Sequence, residues 1–290
     1  MGAALCFDGL MKLRRPIIRP IIRLVTTLAA VWLIAGLGMV IFARTLIYPF
    51  QSGISVAAPV GVPGARAKTI IAQDGLELTV WVVPPQDARP VILYFMGNAG
   101  SLPMSVPRLA EFALRGFGIA ALNYRGAGGM PGSPSQNALT ADALALYDAL
   151  DSLIGTPVPS TRRVAFGTSL GTGLAVQLAA RRPVAGLVLE TPFSRLCEVA
   201  EFRFPIFPAC VLLPYERWAS ADRIGEVTAP VLILHGDADA TIPLSQGQAL
   251  FNAATEPKRL IVYPGGRHND LRLYGAGIEA IAFIEGLAGD

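Results

Sequence analysis

The chain is short of the residues that most metal and redox chemistry needs. Its 290 residues include two histidines, His235 and His268, and three cysteines, Cys6, Cys197 and Cys210. Three thiols do not make a disulfide framework, and nothing here implies a metal or an organic cofactor. Charge is scarce too, at 16% of residues against 52% apolar. The net charge of +3 is unevenly placed: residues 1–44 hold six Lys or Arg and one acid, and the rest of the chain is net −2. The basic excess therefore belongs to the N-terminus and does not indicate nucleic-acid binding. No internal repeat and no low-complexity tract is present, so solenoid and disordered classes drop out.

The apolar excess is concentrated near the N-terminus. Residues 24–42, with Ala43, form an uncharged run, about 30 Å long as a helix and so long enough to cross a bilayer. Lys12, Arg14, Arg15, Arg19 and Arg23 precede it, and Arg44 alone follows before Arg66. That asymmetry predicts a cytoplasmic N-terminus and a remainder on the other side, periplasmic in a bacterium. A cleaved signal peptide is the competing reading. Its apolar core is usually shorter, and Ile41-Phe42-Ala43 lacks a small residue three before the cut. Cys6 precedes the run and so is not a lipobox cysteine. On this topology Cys197 and Cys210 face an oxidising compartment, where a pair could persist, but their spacing alone does not show that they meet. The expected organisation is a basic tail over 1–23, an anchor over 24–43, a linker over 44–66 and a catalytic domain over 67–290.

In that domain the period of the apolar pattern predicts alternation. Residues 68–72 and 76–83 flank Asp74-Gly75, a hairpin signal. Short apolar strands follow near 91–95, 118–122, 163–166, 185–190, 230–235 and 259–263. Helical stretches fit near 103–115, 137–153, 170–182, 244–254 and 275–286. Such alternation argues a mostly parallel sheet with helices on both faces.

The stretch Gly167-Thr168-Ser169-Leu170-Gly171 lies between a predicted strand and a predicted helix, the context of a nucleophile elbow. A serine hydroxyl needs a base, and the base needs an orienting carboxylate. With the chain order Ser, acid, His that accompanies an elbow, only His268 can be the base, because His235 precedes every nearby acid candidate. The loop after the His235 strand offers Asp237 and Asp239. Asp237 follows the His-Gly turn directly and reads as a turn-former. Asp239, further along, is the expected triad acid. Asp270 follows the histidine and fits the order badly. The oxyanion donors expected are the amide of Leu170, after the nucleophile, and that of Asn98 in the glycine-rich loop after the 91–95 strand.

These motifs, together with Tyr94-Phe95-Met96-Gly97-Asn98-Ala99-Gly100, Asn123-Tyr124-Arg125-Gly126, His235-Gly236-Asp237-Ala238-Asp239 and Gly266-Arg267-His268-Asn269-Asp270, carry a resemblance. Over roughly residues 45 to 286 the chain resembles the α/β-hydrolase superfamily, in particular a membrane-anchored branch related to the abhydrolase-domain depalmitoylases. The resemblance implies the α/β-hydrolase fold and a triad of Ser169, Asp239 and His268. It departs at Met96, where many members carry His, and at Asn123, where they often carry Asp. Neither is a triad position, so altered loop packing is the expected consequence.

Residues 191–222 break the alternation with aromatics and prolines, where the superfamily often places a lid. One reading makes Phe202, Phe204 and Phe207 walls of an acyl pocket. The other makes the insert a packed connector. The expected activity is hydrolysis of a carboxylic ester, thioester or lipid-like substrate through an acyl-enzyme. A silent membrane-anchored binding protein and a peptidase or amidase using the same triad are the alternatives.

Overall fold

The computed structural model describes residues 7–50, 59–98 and 101–287. Cys6, the start of the basic tail, residues 51–58 of the expected linker, and Ala99 and Gly100 lie outside the described residues. The chain divides into two units, residues 1–43 and 44–290.

The described residues of the first unit belong to a single helix, α1 (Phe7–Ile47), which continues four residues past the expected end at Ala43. Nothing in Arg44-Thr45-Leu46-Ile47 disfavours helix, and the stop comes where Pro49 restricts Tyr48 before it. The stretch Ile18–Ile47, whose most apolar 18-residue window has a mean hydropathy of 2.3, is long and apolar enough to cross a membrane.

The second unit is built on an eight-stranded sheet in the order β1-β2-β4-β3-β5-β6-β7-β8. The strands are β1 (Arg66–Ile71), β2 (Glu77–Val83), β3 (Val91–Phe95), β4 (Gly118–Leu122), β5 (Arg163–Thr168), β6 (Gly186–Glu190), β7 (Val231–Gly236) and β8 (Lys258–Tyr263). The first two form the expected antiparallel hairpin, β2 pairs antiparallel with β4, and every other pairing is parallel. Strands β3, β4 and β6 are buried along their whole length. Their continuous apolar runs are what a sheet covered on both faces requires.

The connecting helices are α2 (Val106–Leu114), α3 (Gln136–Asp148), α4 (Leu150–Ile154), α5 (Leu170–Ala179), α8 (Leu244–Ala253) and α9 (Ala276–Gly286). The single helix expected over 137–153 is two, with the break at Ala149. Between β6 and β7 the insert folds into two short helices, α6 (Leu196–Arg203) and α7 (Ala209–Leu212). A disulfide between Cys197 and Cys210 joins them, so the pairing that spacing left open is made. Parallel strands place their carboxyl ends along one edge of the sheet, and the loops at that edge carry the candidate residues.

Candidate active site

Ser169 stands at the turn between β5 and α5 with φ 51° and ψ −118°. A non-glycine residue at positive φ is costly, and such strain is held only where neighbours over-determine it. Here the flanking glycines do so. A Cβ on Gly167 would strike the Gly171 carbonyl, and one on Gly171 would strike the carbonyl of Phe95. Strand and helix can therefore close to backbone contact, which lifts the serine out of the sheet. The Ser169 amide donates to the Glu190 carbonyl at 2.9 Å, tying the turn to the end of β6.

His268 lies in the loop after β8, beside the loop after β7. Gly236 permits this proximity, because a Cβ there would collide with the Gly266 carbonyl, and the Ala238 amide donates to that carbonyl at 3.0 Å. Asp237 adds a second tie by accepting from the Gly265 amide at 2.7 Å. The two loops bring Asp239 and His268 together, with His268 Nδ1 at 2.7 Å from Asp239 Oδ2. His268 Nε2 is 3.0 Å from Ser169 Oγ. With the Nδ1 proton donated to the carboxylate, the Nε2 lone pair is left to accept from the serine hydroxyl.

The Asp239 side chain is fully buried, and its other oxygen accepts from the amides of Thr241 and Ile242 at 2.8 and 2.9 Å. Burial pushes its carboxyl pKa up, but the hydrogen bond and charge of His268 and the two amides outweigh that, and the net shift is downward. The carboxylate is thus ionised and fixed in place. Asp270 faces elsewhere, accepting from the Arg267 amide at 2.6 Å.

Leu170 opens α5, where amides have no partner within the helix. The loop carrying Asn98 comes close on the other side, since a Cβ on Gly97 would sit 3.5 Å from that of Ser169. A cleft of about 480 Å³ joins these residues, lined among others by Asn98, Ser169 and His268. Met96 is buried in the loop packing, and its carbonyl accepts from the Tyr124 hydroxyl at 2.7 Å. Asn123 instead turns to its own loop, donating to the Ala127 carbonyl at 2.8 Å.

The insert's aromatics stand apart from this cleft. Phe202, Phe204 and Phe207 do not line this cleft. Phe202 is 56% and Phe204 49% exposed, because α6 ends at Arg203 and Pro205 and Pro208 carry the chain outward. Sequence reasoning also missed Arg108 and Glu190, which line the cleft and form a buried ion pair at 2.5 Å. Nothing in the local pattern marks them. Arg108 precedes the buried Leu109 on α2, and Glu190 ends a fully buried strand; only the fold joins them.

Comparison with known proteins agrees with this architecture. A family model described as alpha/beta hydrolase fold matches residues 90–210, and one described as serine aminopeptidase, S33, matches residues 217–272. The alpha/beta hydrolase domain-containing protein WAV2 of Arabidopsis thaliana is 31% identical over 272 residues, covering 83% of this chain and 86% of the relative. The lysophosphatidylserine lipase ABHD12 of Danio rerio is 34% identical over 195 residues, 60% of this chain and half of that longer protein. Among solved structures, a Pyrococcus furiosus esterase, Pf2001, superposes with a TM-score of 0.67 at 13% identity, covering 83% of this chain and 98% of its own. At that identity the likeness concerns the fold alone. The chain belongs to the α/β-hydrolase fold family and is a hydrolase.

Proposed function

We propose that the protein hydrolyses a carboxylic ester or thioester through an acyl-enzyme on Ser169. The observation that carries this reading is the unbroken line Ser169 Oγ, His268 Nε2, His268 Nδ1, Asp239 Oδ2, with steps of 3.0 and 2.7 Å. His268 takes the hydroxyl proton as Ser169 attacks the carbonyl carbon, and Asp239 stabilises the imidazolium that forms. The oxyanion is held by the amides of Leu170 and Asn98. His268 then returns the proton to the departing alcohol or thiol. In the second half it deprotonates water, which attacks the acyl carbon and frees Ser169.

The lysophosphatidylserine lipase among the similar proteins favours an ester or lipid-like substrate. A second reading, amide hydrolysis by the same groups, is favoured by the serine aminopeptidase match over residues 217–272. The catalytic domain is proposed to lie across the membrane from a cytoplasmic N-terminus. The basic residues before the apolar run support that side, and so does the Cys197–Cys210 disulfide, since such bonds persist in oxidising compartments.

The test is labelling of the full chain by a fluorophosphonate probe, with Ser169→Ala as control. A screen of acyl esters, thioesters and aminoacyl amides accompanies it. Labelling lost in Ser169→Ala with turnover of esters or thioesters supports the reading. Turnover of amides alone moves it to the second. No labelling and no turnover leaves a silent binding protein with this fold.

A further inference from the structure

Arg44, Ile47 and Tyr48, which follow the apolar run, are hydrogen-bonded to the catalytic domain. Asn98 Nδ2 donates to the carbonyl of Ile47 at 3.2 Å, one of the last-turn carbonyls that a helix cannot satisfy itself. Glu216, buried in the insert, gathers three donors: Arg44 Nε at 3.2 Å, the Tyr48 hydroxyl at 2.5 Å and the Gln136 amide at 3.0 Å. Trp218 Nε1 donates to the Tyr48 hydroxyl at 2.9 Å. The chain's exit from the apolar run is therefore fastened both to the loop carrying Asn98 and to the end of the insert.

Tyr215 is the residue next to that clamp and is 84% exposed; Val211 on α7 is 73% exposed. With Phe202 and Phe204 they make the tip of the insert apolar and aromatic. Within residues 202–217 the exposed charges are of one sign, and the partly exposed Glu198 earlier on α6 is paired with Arg195. Arg203 and Arg217 are exposed, and the one acid within residues 202–217 is Glu216, buried and bonded as above. Just before this stretch, Glu201 turns inward to accept from the Cys210 amide at 2.9 Å. The Cys197–Cys210 disulfide fixes the helix carrying Phe202 against the helix carrying Val211. Exposed aromatics interleaved with arginines, without exposed acid, is the composition that settles at a lipid headgroup boundary.

We propose that this tip of the insert, through Phe202, Phe204, Val211 and Tyr215 with Arg203 and Arg217, seats on the bilayer surface from which α1 emerges. The occupant is set by continuity. Arg44, Ile47 and Tyr48 leave the membrane-spanning stretch, and Glu216, bonded to Arg44 and Tyr48, is one residue from Tyr215. The aromatics read from the sequence as an acyl-pocket wall thus act outside the cleft and hold its mouth at the interface, where an ester with a lipid tail is concentrated. This inference rests on the reading of residues 24–43 as the membrane span and of Ser169 as the nucleophile.

The test uses the full chain in phosphatidylcholine vesicles containing phosphatidylglycerol, with acyl chains brominated close to the headgroup. Tyr215→Trp should show fluorescence that is quenched beyond the wild-type background of Trp32, Trp81 and Trp218. Ile278→Trp, at a position 66% exposed on α9, should not. Equal behaviour of the two, or an unquenched Tyr215→Trp, overturns the proposal. A second measurement compares Val211→Ser/Tyr215→Ser with wild type. Its kcat/KM for an ester embedded in vesicles should fall roughly fivefold or more, while that for a water-soluble short ester stays within about twofold. An equal fall on both substrates, or no fall on either, also overturns it. Alkaline extraction tests the span separately: a chain released by alkali defeats the anchor, and the quenching result then decides the docking alone. Turnover of the soluble ester, lost in Ser169→Ala, keeps failure of the hydrolase reading distinct from both.

Discussion

His235 at the tip of β7 and His268 in the loop after β8 both face the same carboxylate, and the fold gives them opposite surroundings. His235 Nε2 lies 3.6 Å from Asp239 Oδ2, with both side chains fully buried, and is 2.9 Å from the Ile242 carbonyl. Its Nδ1 has no hydrogen-bond partner among the described residues and points at α8, where a Cβ on Gly247 would collide with it. His268 bonds the same carboxylate at 2.7 Å, keeps some exposure, and reaches the serine with its second nitrogen. Nearness to a carboxylate therefore does not make a histidine a base. On the proposed mechanism a base also needs a second nitrogen directed at Ser169, and between these two histidines His268 in the β8 loop has one.

The largest expected effect separates the two histidines by turnover. His268→Ala, like Ser169→Ala, should lower kcat by roughly 10⁴- to 10⁶-fold with folding intact, because the groups act as a unit. His235→Gln, which retains a donor for the Ile242 carbonyl, should stay within about tenfold of wild type. Equal losses in folded His235→Gln and His268→Ala would erase the distinction.

Next in size is the contrast between the two aspartates of the β7 loop. Asp239→Asn keeps the shape but no longer fixes the Nδ1 proton, and a loss of about 10³- to 10⁴-fold in kcat is expected. Asp237→Asn removes part of one exposed tie to the Gly265 amide, so less than about a tenfold change is expected. Kinetics on both variants, with circular dichroism to check folding, decides this. A reversed order would move the acid to Asp237.

How much of this was legible beforehand follows from what each element depends on. Strands β3 to β8 and the elbow at Ser169 were readable because apolar period, flanking glycines and chain order are local properties. Chain order alone also pointed to His268, the histidine that the fold sets 3.0 Å from Ser169 Oγ. The break at Ala149 was not, since Ala disfavours nothing in a helix and the change of course comes from packing. Nor was the Arg108–Glu190 pair, whose partners stand 82 residues apart and meet only in the folded chain. The exposure of Phe202 and Phe204 fits neither reading of the insert, as acyl-pocket wall or as packed connector. The bonds of Arg44 and Tyr48 to Glu216, 172 and 168 residues apart in sequence, are tertiary facts that no local pattern states.

The smallest effect sharpens the comparison through pH. Burial depresses the pKa of His235 below its ordinary 6.5, more than the Ile242 carbonyl and the Asp239 charge restore, with the facing His268 opposing protonation. The folded protein holds this imidazole neutral, with Nε2–H donated to Ile242 and a bare Nδ1 that has no partner for a proton. Below pH 6.5 the unfolded chain binds a proton there that the folded chain resists, so stability falls as pH falls from 6.5 toward the depressed folded value. Asp239, also depressed, behaves in the same sense but lower: its contribution is whole above its ordinary 3.8 and fades as pH drops through its folded value. Between pH 7 and 5 the histidine should therefore dominate the two. Urea midpoints for wild type should decline across that interval, and those for His235→Gln should decline measurably less, while Asp239→Asn keeps most of the wild-type slope. Parallel curves for wild type and His235→Gln would show that His235 is not held neutral by its burial, and the asymmetry between the two histidines would then rest on reach to Ser169 alone.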